Sequence, residues 1–425
     1  MKLLGFLLLL IGVCYPSVAQ DPFALFAQAR EKARQQNYLA YLADMKKANE
    51  LLPNYPDFMY ELAKAYTRNN QVTEALELLK QVNYYRFPFD FQKEETFKIL
   101  ATNPAFTPLV QQAELFLKPI RNSTLYFTLP EAAFIPEGMT YNAGNQAFYV
   151  GSYAQNRIIQ VKKDVPVAEF IARGQDDLGG VLGLKANAKK QELWVCHNTD
   201  AGPEAGKGGV YKYSLATRKI LKKYLLPAPA PGQVNTFNDI VLAQDGTAFV
   251  TNSTTGSVYQ ITPLQDSLVR IPEISRTIYP NGLTLSRDER YLYVASFGGI
   301  LVYDRAVRIL TKLETNNQRR TGGIDGLYFY TQNKQDYLIG IQNAFTVHGE
   351  SAERIIKIAL DSTAKTMTDF QILESLNPQF NTPTTGAIVG DDFYYIANSQ
   401  VQKVQPGGKI EGPVVPSKIF KLSLK

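Results

Sequence analysis

One short pattern returns six times in this chain, each time opening on a turn and ending in an apolar strand followed by a small and then a polar residue. The copies are PEGMTYNAGNQAFYVGS from Pro136, VLGLKANAKKQELWVCHN from Val181, FNDIVLAQDGTAFVTNS from Phe237, PNGLTLSRDERYLYVAS from Pro280, IDGLYFYTQNKQDYLIGIQN from Ile324 and TTGAIVGDDFYYIANS from Thr384. They recur at intervals of about 43 to 60 residues. A four-strand unit at that period specifies a β-propeller. Residues at the same phase of each unit then converge on one axis, so the central ring can be read from the sequence.

The residue before the first strand of each unit is Glu137, Leu182, Asn238, Asn281, Asp325 and Thr385. Two are carboxylates and two are amides. All four offer oxygen, the donor type of a hard cation, and two formal charges match one Ca²⁺. Asn and Asp are also ordinary turn formers; Glu137, a poor one, holds the same phase. Zinc is disfavoured, because the chain has two His and two Cys that are not spaced as a metal site.

These residues carry a resemblance. PEG at Glu137, FND at Asn238, PNG at Asn281 and IDG at Asp325 resemble the senescence-marker-protein/gluconolactonase family. The chain is similar, more distantly, to paraoxonases and strictosidine synthase-like proteins. The resemblance covers roughly residues 123 to 425. It implies a six-bladed propeller with a divalent metal, usually Ca²⁺, at the mouth of the channel. It implies Glu137, Asn281 and Asp325 as metal ligands, Asn238 as a ligand to metal or substrate, and Asp325, or Glu137, as general base. The implied activity is hydrolysis of a lactone or ester. The chain departs from the family at Thr236, where gluconolactonases commonly carry Arg, and at Leu182, where paraoxonases use His. Those departures bear on a sugar-lactone substrate and a His dyad, and leave the metal untouched. A propeller that only binds, with a structural metal, remains the other reading.

A second ring follows from antiparallel order. The strand after the turn ends on the face where the next unit begins, placing Ser152, His197, Asn252, Ser296, Gln342 and Asn398 at one height. Half-buried strands alternate in this way without any function. A polar residue in every unit also suits a polar floor beside the metal, so His197, Asn252, Gln342 and Asn398 join Asn238 as candidate substrate contacts. The longest loops on the same face are 198–209 and 343–353. The first, rich in Gly, is a candidate lid.

The first 19 residues read as a signal peptide, with Lys2, the run LLGFLLLLIGV and the small-residue site Ser17-Val18-Ala19. The chain is therefore expected to be secreted or periplasmic after cleavage at Ala19-Gln20. Lipoprotein anchoring through Cys14 is disfavoured by the bulky Val13. One cysteine, Cys196, then remains, which excludes an intramolecular disulfide. No other apolar run is long enough to span a bilayer. The net charge of +6 is scattered in short pairs such as Lys222-Lys223 and Arg319-Arg320, with no stripe for nucleic acid.

Residues 20–118 differ in kind, with helical periodicity and the pairs Ala29/Ala63 and Ala48/Val82 34 apart. That segment resembles tetratricopeptide repeats, which bind peptides or proteins. Two helical pairs and a third around Phe91 to Leu117 are expected, joined to the 119–425 propeller at Lys118-Pro119 and separable from it. STLYFTL from Ser123 and SKIFKLSL from Ser417 have no local partner, so they are expected to pair and close the ring.

Overall fold

A computed structural model describes residues 21–228, 230, 233–315 and 321–425. The expected signal peptide with Cys14, and Arg319-Arg320, lie outside the described residues. Among the described residues six four-stranded antiparallel sheets form the blades, each wound outward from its innermost strand. The innermost strands are Pro136–Asn142, Gly180–Asn187, Phe237–Leu242, Leu283–Leu285, Ile324–Gln332 and Gly386–Val389. Each begins at one of the six sequence repeats.

The ring closes as expected. Thr124–Thr128 pairs with Lys418–Ser423, which pairs with Asp392–Ile396 in the sixth blade, so the two ends of the propeller share one sheet. Six apolar clusters then fill the six gaps between neighbouring blades, one to a gap. Val181, Leu193 and Tyr149 join the first two blades, for example, and Met139, Phe148, Ile396 and Ile419 join the last to the first. Packed between neighbouring blades, the inner strands are buried along most of their length.

Before the propeller come helices α1 (Pro22–Arg34), α2 (Tyr38–Leu51), α3 (Pro56–Arg68) and α4 (Val72–Tyr84). The second pair repeats the first at an offset of 34 residues, and Ala29, Ala48, Ala63 and Val82 are buried at the equivalent crossings. The expected third pair is a 3₁₀ helix, Glu95–Thr102, followed by α5 (Phe106–Glu114). No helix among the described residues is long and apolar enough to cross a membrane.

The expectation that the helical part is separable meets a contrary arrangement. Its core is continuous with Phe345, Val347 and Ala352 from a loop of the fifth blade. Phe345 packs edge-on to Tyr55 and Phe87, and Phe297 stacks on Tyr55. The buried guanidinium of Arg354 lies 3.7 Å from the centre of the Phe87 ring and donates to the carbonyl of Tyr85 at 2.7 Å. Apolar burial and charge-assisted bonds thus join the two parts into one packed body.

Candidate metal centre at the mouth of the channel

The inner strands approach one another closely where they enter the ring. The Gly282 amide donates to the Asp325 carbonyl at 2.8 Å, and the Gly326 amide donates to the Thr384 carbonyl at 3.1 Å. Such backbone contact excludes side chains. A Cβ on Gly138 would lie 1.8 Å from the Leu182 carbonyl oxygen, and one on Gly282 would lie 2.1 Å from that of Asp325. Glycine follows the ring residue in five blades for this reason. The third blade has Asp239 instead.

Glu137 and Asp325 are both buried at the ring, 7% and 6% exposed. Burial raises the Asp325 carboxyl to about 7, and the nearby Asp239 charge adds to the rise; hydrogen bonds from the Asn343 and Asn281 amides oppose it. Glu137 is raised well above the usual carboxylate range, first by burial and then by the Asp325 charge, against a hydrogen bond from Thr384. The Thr384 and Thr385 hydroxyls also fix the Glu137 backbone by donating to its carbonyl at 3.0 and 2.7 Å. Asn343 Nδ2 donates to Asp325 Oδ2 at 2.7 Å. Asn238 Nδ2 donates to Ser253 Oγ, which in turn donates to the Pro280 carbonyl beside Asn281.

A divalent cation fits these residues. Asp325 Oδ1 and Asn281 Oδ1 are buried acceptors with no hydrogen-bond partner. Burial raises both carboxylates and the Asp325 charge raises Glu137 further, with no positive group opposing either rise, and every side-chain donor at the ring is oxygen. Among the described residues no three His, Cys, Asp or Glu side chains gather as a metal cluster, so a cation here would depend on the amides of Asn238 and Asn281 beside two carboxylates. Leu182 is buried in the core between two blades and contributes no donor.

Below the ring the axis holds a cavity of about 210 Å³, lined among others by Lys185, Asp239, Thr284 and Tyr328. Burial lifts Asp239 to about 6, opposed by the Ile240 amide and the Lys185 charge. Burial lowers the Lys185 ammonium, and Asp239 opposes that shift. The sequence reading missed this pair. The signal was present, since Asp239 is the one non-glycine at its phase. Tyr153 and Tyr279 were missed as well. Both phenols are held up by burial of their hydroxyl ends and by neighbouring carboxylates, Glu137 among them, although half of Tyr279 is exposed.

The second ring is occupied differently from the expected polar floor. Both His197 nitrogens are engaged inside the protein: Nδ1 accepts from the Gly179 amide at 2.8 Å, and Nε2 faces the Thr199 hydroxyl at 3.2 Å. Burial, with Lys223 nearby, lowers the imidazole to about 4, and it stacks on Tyr211 as a neutral ring. Asn252 bonds the Thr236 amide and Asn235. Gln342 bonds the Gly322 carbonyl and Arg354. Asn398 bonds the Lys418 amide and the Pro416 carbonyl. Ser152 and Ser296 donate to the Phe134 and Gly299 carbonyls. These groups cap the strand ends and blade junctions, so the physical reason for polarity at that phase is backbone satisfaction.

Both loops do come to the ring face. Asp200 in 198–209 accepts from the Tyr153 hydroxyl at 2.9 Å and from the Gly407 amide at 3.0 Å. The candidate lid is therefore tied down on two sides, in the first and the sixth blade.

No protein-family model matches this sequence, and no curated protein matches it. Solved structures similar to this chain include a gluconolactonase from Xanthomonas campestris, with 14% identity, a TM-score of 0.45, and coverage of 72% of this chain and 96% of that one. A calcium-binding protein, regucalcin, from Agrobacterium tumefaciens has 13% identity, a TM-score of 0.47, and coverage of 72% and 94%. Virginiamycin B lyase from Staphylococcus aureus has 15% identity, a TM-score of 0.46, and coverage of 71% and 100%. The first two are of the kind that the sequence motifs resemble. Similarity at this level carries no chemistry from those proteins to this chain.

Proposed function

We propose that this chain is an exported, divalent-cation-dependent hydrolase, with Ca²⁺ the first candidate and a lactone or ester as the substrate class. The observation that carries the reading is the pair Glu137 and Asp325, buried together at the channel mouth with orphaned oxygens on Asp325 and Asn281. Glu137, Asn281 and Asp325 would hold the cation, with Asn238 at the same phase as a further ligand or a substrate contact. A cation bound there would polarise a substrate carbonyl as a Lewis acid. Asp325 is the group placed to take a proton from water, and Glu137 is the alternative. Tyr153 and Tyr279 lie near Glu137 and would shape what reaches it. Export rests on the leader-like first 19 residues.

A second reading is a non-catalytic propeller in which the cation is structural and the helical part recruits a protein. The tethering of loop 198–209 through Asp200 favours it, because a loop held on two sides is a poor lid for an entering substrate. A panel of lactones and esters, assayed with Ca²⁺ and with chelator, separates the two. The hydrolase reading expects cation-dependent turnover that Asp325→Ala abolishes in a folded protein. Equal activity of Asp325→Ala and wild type would remove the mechanism, and an inactive wild type across the panel would leave the binding propeller.

A further inference from the structure

The loop that carries Asn343 has its other end embedded in the helical part. Residues 343–353 leave the fifth blade at the ring and return to it at Arg354. At the start of the loop, Asn343 Nδ2 donates to Asp325 Oδ2 at 2.7 Å and to the Pro383 carbonyl at 2.8 Å. At its tip, the backbone of His348 and Gly349 turns left-handed, with φ of 54° and 83°. That conformation needs support from outside for a non-glycine residue. Asp57, in the first turn of α3 and 5% exposed, supplies it. Its carboxylate accepts from the Thr346 hydroxyl at 2.5 Å, the His348 amide at 2.8 Å and the Gly349 amide at 3.0 Å. Tyr60 and Phe89 pack edge-on against the His348 ring, while Phe345 and Val347 sit in the helical core. The loop is thus held at its tip by one buried carboxylate and delivers one amide to the ring.

We propose that the helical part belongs to the cation site, with Asp57 as a positioning residue that holds loop 343–353 so that Asn343 stays on Asp325. This rests on the reading of Glu137, Asn281 and Asp325 as cation ligands. A carboxylate ligand whose second oxygen is fixed by a hydrogen bond keeps its free oxygen aimed at the metal, and loss of such support typically weakens metal binding by about 10- to 100-fold. The geometry gives Asp57 and Asn343 one shared route, so their effects should overlap instead of adding.

The test is Ca²⁺ titration calorimetry on the chelator-treated full chain, comparing wild type, Asp57→Ala, Asn343→Ala, the double variant and Arg86→Ala. The Arg86 side chain bonds the Phe370 carbonyl at the same interface, outside residues 343–353, so it controls for loosened docking. Asn343→Ala and Asp57→Ala should each weaken Ca²⁺ binding by about tenfold or more. The double variant should be no worse than Asn343→Ala alone, and Arg86→Ala should stay within about twofold of wild type. Asp57→Asn, which keeps the shape and one acceptor oxygen, covers the case in which Asp57→Ala does not fold; it should weaken Ca²⁺ binding by a few-fold and speed amide exchange across 343–349. Unchanged affinity in both Asp57 variants, or additive losses in the double variant, would overturn the inference. A wild type that binds no Ca²⁺ would remove the cation site itself, and the first titration alone would reveal that.

Discussion

Replacing Asp325 by Asn should stabilise the cation-free protein while destroying its affinity for the cation. The side chain is buried, and its carboxyl is raised from an ordinary 3.8 to about 7. A raised carboxyl means that the native chain keeps a proton the unfolded chain has already released. Stability therefore falls as pH rises from about 4 to about 7, and the full cost is present above that window. The shift is about three pH units, which corresponds to at most about 4 kcal/mol. Glu137 shares the strain, because the Asp325 charge is the second cause of its own rise. An amide of the same shape removes the buried charge, still accepts from Asn343 through its carbonyl oxygen, and relieves Glu137. In chelator at pH 8, Asp325→Asn should melt higher than wild type by an amount on the order of 5 °C. The gap should shrink towards zero by about pH 4, where both forms are neutral. With Ca²⁺ at millimolar concentration the gap should narrow, since only wild type is stabilised by binding. Scanning calorimetry at several pH values, with chelator and with Ca²⁺, measures all three. A variant that melts at or below wild type in chelator at pH 8, or a gap independent of pH, would refute the reasoning.

Two further outcomes follow from the packing. A fragment of residues 123–425 should be poorly soluble and bind hydrophobic dyes, because it exposes Phe345, Val347 and Ala352 and loses the Tyr85 carbonyl that Arg354 bonds; a fragment melting like the full chain would show the helical part to be an independent unit. Gly282→Ala should cost roughly 3 kcal/mol or more, since its Cβ would meet the Asp325 carbonyl oxygen at 2.1 Å and the Leu327 amide nitrogen at 2.5 Å, neither of which can move freely; a wild-type melting temperature would contradict the close approach of the inner strands.

Much of this architecture was legible because propeller symmetry is written locally. The six turn-and-strand units marked the inner strands, and the unpaired STLYFTL and SKIFKLSL marked the closing blade. The phase of Glu137, Asn281 and Asp325 gave the ring directly. The second ring was legible as a pattern but not as a role, since His197, Asn252, Gln342 and Asn398 alternate as any half-buried strand does. Only their partners show that they cap backbone at the blade junctions. Asp239 was visible as a break in a run of glycines and was passed over inside the FND motif. The contacts that unite helices and propeller could not be read. Thr346 and Asp57 are 289 residues apart, and neither sits in a periodic pattern that points to the other.

The central claim, one hard-cation site at the ring, is tested most directly by titrating Ca²⁺ into chelator-treated wild-type protein by calorimetry near pH 7.5. Two carboxylates and two amides should bind one Ca²⁺ per chain with a dissociation constant of roughly 10⁻⁶ to 10⁻³ M, and Asp325→Ala should abolish the heat. Absence of binding by wild type up to about 10 mM, or an unchanged isotherm for Asp325→Ala, would contradict the account.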